Sequence, residues 1–249
     1  MITLLVSPRE FLSAEITVEG ESYRHLFRAR RAEVGDAVRL IDGLGAARAG
    51  RIVRIDRKAG WIAPDESAQP LPANEPSLRL TLLVPTLRPE RASWLVEKAT
   101  ELGVAAIRFL HTERAPRDFG AGTLDRLRRV SISALEQCHG ARLPDLDGPH
   151  AWSDLERQAE GLELRWVLDP AGAPGLGAEP ETRTAALLVG PEGGLTAGEV
   201  EAAKALGFRP VSLGPRILRI ETAAVAGAAL VLSGAPEGSL RYPKRFLSG

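Results

Sequence analysis

Two short stretches of the 249-residue chain hold most of the side chains that could do chemistry. In the first, the apolar run Leu187-Leu188-Val189 opens into Gly190-Pro191-Glu192-Gly193-Gly194, and Thr196 with Glu199 makes a capping box for a helix behind the loop. Glycines there let backbone N–H and C=O groups approach a ligand closely, and the crevice at strand carboxyl ends is where α/β sheets bind ligands. A plain turn accounts for two glycines, but poorly for three with a proline and a carboxylate. The loop lacks a Lys-Ser or Lys-Thr pair and the G-x-G-x-x-G spacing, which demotes nucleotide hydrolysis and ordinary dinucleotide binding.

In the second stretch, residues 211–232, a buried strand opens into Leu213-Gly214-Pro215 and sets Arg216, Arg219 and Glu221 just ahead of an alanine-rich helix. Two glycine-proline loops at strand ends form two walls of one pocket in this reading. Arginines and a carboxylate at its rim suit an anionic substrate and the movement of a proton. The competing reading is an Arg219–Glu221 surface pair helped by the helix dipole. No metal is expected: His25, His111, His139 and His150 are scattered without ligand spacing, and the lone Cys138 excludes both an intrachain disulfide framework and a thiolate zinc cluster.

The elements that must position these groups fall into two textures. Up to residue 64, short apolar runs alternate with Gly-Asp and Asp-Gly turns, which reads as a small β-barrel or sandwich interrupted by one short helix around Tyr23, Leu26 and Phe27. Residues 64–77 hold four prolines and little that is apolar, so the domain boundary is placed there, with domains at 1–70 and 76–249. Beyond it, strands at 78–84, 105–111, 164–169, 185–190 and 210–214 alternate with helices at 90–102, 123–138 and 197–206. That pattern predicts an α/β domain with a mostly parallel sheet.

Composition narrows the function classes. Hydrophobic residues at 44% and charged residues at 26% are globular values that exclude a disordered or fibrous chain. No apolar stretch is long enough to span a bilayer and the first residues do not read as a secretion signal, so a cytoplasmic protein is expected. Net charge is zero, yet of the 32 basic residues all but Lys58, Lys98, Lys204 and Lys244 are arginines. Between Tyr23 and Gly60 stand 10 basic and 4 acidic residues, a local excess that fits either a solvated face or a nucleic-acid surface.

Five segments in order, HLFRARRAEVGD with LIDG, EKATELGVAAIRFLHTERA, ALEQCHGARLP, LLVGPEGGLTAGEV and SLGPRILRIETA, resemble the RsmE-type 16S rRNA (uracil-N3)-methyltransferases of the SPOUT superfamily. The resemblance covers most of the chain and implies a PUA-like β-barrel followed by a SPOUT domain with a trefoil knot. It further implies S-adenosylmethionine as cofactor, a homodimer that builds the pocket from both subunits, and a uridine near the 3′ end of 16S rRNA in the small ribosomal subunit as target. By motif position, Gly190, Glu192, Gly193, Gly194, Leu213, Gly214, Ile217 and Leu218 line the cofactor pocket, with Leu83, Val84 and Pro85 as a third wall. Three positions depart from the family: Ile220 for a common Thr, Gly140 where many relatives have Arg, and Ala115 for Ser or Cys.

On this chemistry the protein must align donor and acceptor and deprotonate a weakly acidic imide. Arg219 and Arg216 are the candidates to stabilise charge spreading onto the uracil oxygens, and Glu221, with Glu192 second, to take the proton. A covalent route through Cys138 is set aside, because Val130, Ala134 and Cys138 at i, i+4, i+8 put the thiol on a packed helix face. RNA contacts are expected from Arg24, His25, Arg28, Arg30 and Arg31, extended by Arg114, Arg117 and Arg142. A ribose 2′-O-methyltransferase on the same fold and a non-catalytic ribosome-associated RNA-binding protein remain as alternatives.

Overall fold

The computed structural model describes residues 1–65, 70–116, 119–177 and 181–233. The chain divides into two compact units, Met1–Glu75 with Leu135–Leu143, and Pro76–Ala134 with the residues from Pro144 onward. The segment Leu135–Leu143, which the linker-based boundary leaves in the second domain, thus groups with the first unit. The C-terminal residues 234–249 lie outside the described residues.

The first unit contains strands β1 (Ile2–Leu5), β2 (Ile16–Val18), β3 (Ala37–Ile41), β4 (Ala47–Ile55) and β5 (Gly60–Pro64), joined in the order β1-β3-β4-β5-β2. All pairings are antiparallel except β1 with β3, so the sheet is mixed. Alternation drives it: Ile52 and Ile62 are buried while Arg51 and Val53 face out. The predicted short helix is a four-residue turn, Gly20–Tyr23, running into a π-helical segment Arg24–Ala29. Tyr23, Leu26 and Phe27 point to the core, which leaves Arg24, His25, Arg28 and Arg30 exposed on the other side. Gly60 is required beside them, because a Cβ there would stand 2.3 Å from the Phe27 ring.

The second unit is built on six parallel strands, β6 (Arg79–Pro85), β7 (Ala106–His111), β8 (Asp145–Ala151), β9 (Leu164–Pro174), β10 (Thr184–Leu188) and β11 (Arg209–Ser212). Their order is β11-β9-β10-β6-β7-β8. The central strands β6 and β10 are mostly apolar because both faces are covered. One core joins Leu82, Val84, Phe109 and Leu187 to helices α3 (Pro89–Glu101), α4 (Thr123–Cys138) and α7 (Ile220–Ser233). The opposite core joins Leu83, Leu110, Val167 and Leu188 to α5 (Leu155–Ala159) and α6 (Ala197–Ala205). Helices α1 (Pro8–Phe11) and α2 (Gly20–Tyr23) belong to the first unit.

Strand β8 is an addition to the sequence reading: DLDGPHA has no apolar run, and an edge strand needs none, since it pairs on one side only. The capping box is present as read, with Glu199 N–H donating to Thr196 Oγ1 at 3.2 Å and Thr196 N–H donating to Glu199 Oε2 at 2.8 Å. Glu199 is buried and its Oε1 also accepts the Glu113 N–H at 2.9 Å. Thr196→Ala is expected to lower unfolding free energy by about 1 kcal/mol, measured by urea denaturation. A loss within about 0.2 kcal/mol would mean the loop is held by Glu199 alone.

Candidate functional site

Because all strands of the second unit are parallel, the loops after β6, β9, β10 and β11 leave the same edge of the sheet. Strand β9 lies between β10 and β11, so the loops following its two neighbours flank a space that β9 itself floors. That space is a cavity of about 320 Å³. Gly190, Glu192, Gly193, Gly194 and Leu195 form one side, and Leu213, Gly214, Arg216, Ile217 and Leu218 the other. Leu168, Asp169 and Pro170 form the floor.

The glycines have physical reasons to be there. Gly194 at φ +70° and Gly214 at φ +117° occupy backbone conformations that other residues reach only with strain. At Gly190 a Cβ would approach Leu195 Cγ at 3.1 Å, and at Gly193 it would approach Arg114 Cδ at 3.2 Å. Arg114 reinforces this loop by donating from Nη1 to the Gly193 carbonyl at 2.6 Å.

The eight loop residues named from the two motifs line this cavity, together with Arg216. The three placed in a third wall do not: Leu83 and Val84 are fully buried in the cores on opposite faces of the sheet, and Pro85 ends the same strand. The sheet order explains this, because β6 lies on the far side of β10 from the cavity. The wall comes from β9 instead. The Asp-Pro step at the end of the apolar run LRWVLD is the signal in the sequence that marks it.

Of the polar candidates, Arg219 is exposed and is not among the cavity-lining residues. Glu221 is buried in the first turn of α7, and its Oε2 is a buried oxygen without a hydrogen-bond partner. The competing reading of an Arg219–Glu221 surface pair does not hold: Glu221 meets Arg91 instead, from the first turn of α3, whose Nε lies 3.8 Å from Glu221 Oε1. Arg91 also makes an ion pair through Nη1 with Glu192. One guanidinium therefore ties together Glu192 and Glu221, a carboxylate from each of the two motifs, and Arg91 is not among the residues given a role from the sequence.

Arg91 and Glu192 also border a second cavity, of about 240 Å³, lined by Thr86, Leu87, Arg88, Arg91, Pro116, Glu192 and Ile220. It lies on the β6 side of the β10 loop, as the first lies on the β9 side. Glu192 and Ile220 line both. Ile220 is only 2% exposed and presents hydrocarbon to each space.

The basic candidates separate by unit. Arg24, His25, Arg28, Arg30, Arg31 and Arg142 belong to the first unit, Arg114 to the second, and Arg117 lies outside the described residues. Arg30 Nε donates to His25 Nε2 at 3.1 Å, and Arg31 holds φ +54° where the helical segment ends. Arg54 stacks 3.6 Å above the Trp61 ring. Burial pushes the Glu136 carboxyl up in pKa, against the Leu5 N–H bond and the charges of His25 and Arg30. Arg39 is buried and donates to the Pro72 carbonyl at 2.6 Å, so this basic residue of the charged stretch serves structure.

The LIDG motif also acts structurally, since Asp42 Oδ1 accepts the N–H groups of Leu44, Gly45 and Ala46 at 2.8–3.0 Å. Arg142 packs against that loop, where a Cβ on Gly45 would fall 2.6 Å from its Nη2. At Gly140 a Cβ would stand 2.8 Å from Leu135 Cδ1, which gives a packing reason for glycine there. Cys138 packs with the cluster of Ile41, Ala47, Leu135 and Ala141. Among the described residues no group of side chains has the makings of a metal site, and no helix is long and apolar enough to cross a membrane.

The fold and cavity define an α/β protein that takes a small organic ligand at the carboxyl edge of a parallel sheet, carried on a chain with a separate small β unit. An RNA methyltransferase domain model matches residues 74–232, and an RNA methyltransferase PUA domain model matches 18–64. The ribosomal RNA small subunit methyltransferase E of Synechocystis is 30% identical over 234 residues, covering 92% of this chain and 76% of the relative. A Legionella pneumophila putative methyltransferase, solved with bound S-adenosylmethionine, superposes with TM-score 0.83 at 28% identity, covering 94% of this chain and 98% of that one. The Neisseria gonorrhoeae ribosomal RNA small subunit methyltransferase E, also solved with the cofactor, gives 0.77 at 27% identity, covering 92% and 95%. The chain belongs to the ribosomal RNA small subunit methyltransferase E family.

Proposed function

We propose that the protein transfers the methyl group of S-adenosylmethionine to N3 of a uridine near the 3′ end of 16S rRNA in the small ribosomal subunit. It is an S-adenosylmethionine-dependent rRNA methyltransferase by family, and the N3 atom and the particular uridine are the further step. The observation that carries the reading is the cavity over β9, closed by both motif loops, in a chain whose solved relatives hold the cofactor. The residues fit such a ligand. Val189, Leu195, Leu213, Ile217 and Leu218 offer apolar walls for a purine ring, and the Asp169 and Glu192 carboxylates suit a cationic sulfonium and ammonium. Gly214 leaves open space where a Cβ would project.

When bound, S-adenosylmethionine supplies an electrophilic methyl group on a positively charged sulfur. The glycine loops hold that donor in place, Arg216 stands at the rim, and the acceptor must meet it in line. Leu83, Val84 and Pro85 support the site from within the sheet. A homodimer, the trefoil knot and a cytoplasmic location belong to the same proposal. Ile217 at 87% and Leu230 at 52% exposure provide apolar surface for a second copy.

The test incubates the protein with methyl-labelled S-adenosylmethionine and undermethylated small subunits, then identifies labelled nucleosides by mass spectrometry. 3-Methyluridine is expected. A label on ribose would move the assignment to 2′-O transfer, and failure to bind the cofactor would favour a docking protein. For the RNA grip, Arg28→Gln and Arg31→Gln together are expected to reduce the slope of log K against log salt by about one unit per lost phosphate contact. An unchanged slope and affinity in a salt series would remove those two arginines from the interface.

A further inference from the structure

We propose that the second cavity, between the β6 and β10 loops, is the seat of the acceptor base, with Arg91 binding the deprotonated imide and Glu192 accepting its proton. This rests on the functional reading above and assigns the substrate's place within it. The cavity adjoins the cofactor cavity through a shared side chain, Glu192, so a base seated there stands next to the donor. Its volume of about 240 Å³ admits one planar ring.

Its lining has the character an anionic ring needs. Arg88 and Arg91 bring two guanidinium groups, while Leu87, Pro116 and Ile220 give apolar faces for the ring. Arg88 is the N-cap of α3 and makes no side-chain capping bond, so the first-turn N–H groups of this 13-residue helix lack a side-chain cap beside the same cavity. The charged groups facing Arg91 are Glu192 from the β10 loop and Glu221 from α7, with Arg88 sharing the cavity.

The arrangement of the two carboxylates decides their roles. Glu221 is buried beside Arg91 Nε and lines neither cavity, so it tethers the guanidinium by one edge. Glu192 is half exposed, pairs with the Nη1 end, and faces both cavities. An ion pair of such exposure opens at a cost of about 1 kcal/mol or less. As the base enters, the N3–H bond breaks and its proton passes to a Glu192 oxygen, later to leave for solvent. The N3 electron pair then forms the bond to the methyl carbon as the methyl–sulfonium bond breaks, its electrons staying on sulfur, so that the cofactor would leave as neutral S-adenosylhomocysteine. Negative charge moves from Glu192 to the imide, and the same guanidinium adjoins it before and after, so little reorganisation is needed.

The test compares wild type, Arg91→Met and Arg91→Lys for S-adenosylmethionine affinity by calorimetry and for 3-methyluridine formation on undermethylated small subunits between pH 6 and 9.5. Arg91→Met is expected to bind the cofactor within about threefold of wild type and to lose about 10²–10³-fold in kcat near neutral pH. Much of that loss should be recovered toward high pH, where the imide ionises without help. Arg91→Lys keeps a positive charge, and should lose less and follow the same pH course even if the methionine variant fails to fold. Wild-type kcat in Arg91→Met, or a loss in both variants by one factor at every pH, would overturn the proposal. An inactive wild type that binds the cofactor would overturn the N3 reading itself, and the seat with it.

Discussion

Glu192→Gln is expected to lower the single-turnover methylation rate by about 10²–10⁴-fold, the usual contribution of a positioned general base. Glutamine keeps the size and one acceptor oxygen but cannot take a proton, so folding should persist, and any loss of cofactor affinity is offset by raising the cofactor to saturation. The matching change at Glu221 is expected to do much less. Glu221 lines neither cavity and its contact with Arg91 is 3.8 Å long, so its change reaches the reacting base only through the position of the guanidinium. The measurement is the rate at saturating labelled cofactor with the protein in excess over small subunits. The reverse pattern, with Glu221→Gln inactive and Glu192→Gln near wild type, would return the base role to the α7 carboxylate.

Gly214→Val should raise the dissociation constant for S-adenosylmethionine by about 10²-fold or more, about 2.7 kcal/mol. A φ of +117° strains a β-branched residue by about 1–3 kcal/mol. Relief of that strain requires the backbone to rotate, which carries Leu213, Arg216, Ile217 and Leu218 away from their places on the cavity wall. Steric crowding is not the cause, since a Cβ there meets nothing within 4 Å. The effect should therefore fall on binding rather than on global stability, with urea denaturation little changed. Gly177→Val is the control, because it too has open space around a Cβ but no positive φ and no part in the cavity. Equal affinity for wild type and Gly214→Val would show that the loop conformation is not what holds the ligand.

Motifs were legible where the physics is local. The capping box of Thr196 and Glu199 and the buried apolar strands each depend on neighbours a few residues away, so residue type and spacing suffice to find them. The loops at Gly190–Gly194 and Leu213–Leu218, which line the cavity over β9, carry their signal in the same local way. Charge was less legible. The basic stretch from Tyr23 to Gly60 contains Arg39, which is buried and bonded to a backbone carbonyl, and counting charges cannot separate such a residue from an exposed one.

By itself the sequence determined the two-part organisation, the parallel α/β class, the family resemblance and the glycine loops that shape one cavity. Tertiary structure alone decided which strand floors that cavity and which arginine meets the two carboxylates. Strand order placed β9 between β10 and β11, so Leu168, Asp169 and Pro170 form the wall expected from Leu83, Val84 and Pro85. It also set α3 beside α7 and the β10 loop, bringing Arg91 to a carboxylate 101 residues away. No spacing rule spans such a separation, because the distance is set by how a sheet stacks its strands and not by the pitch of any one element.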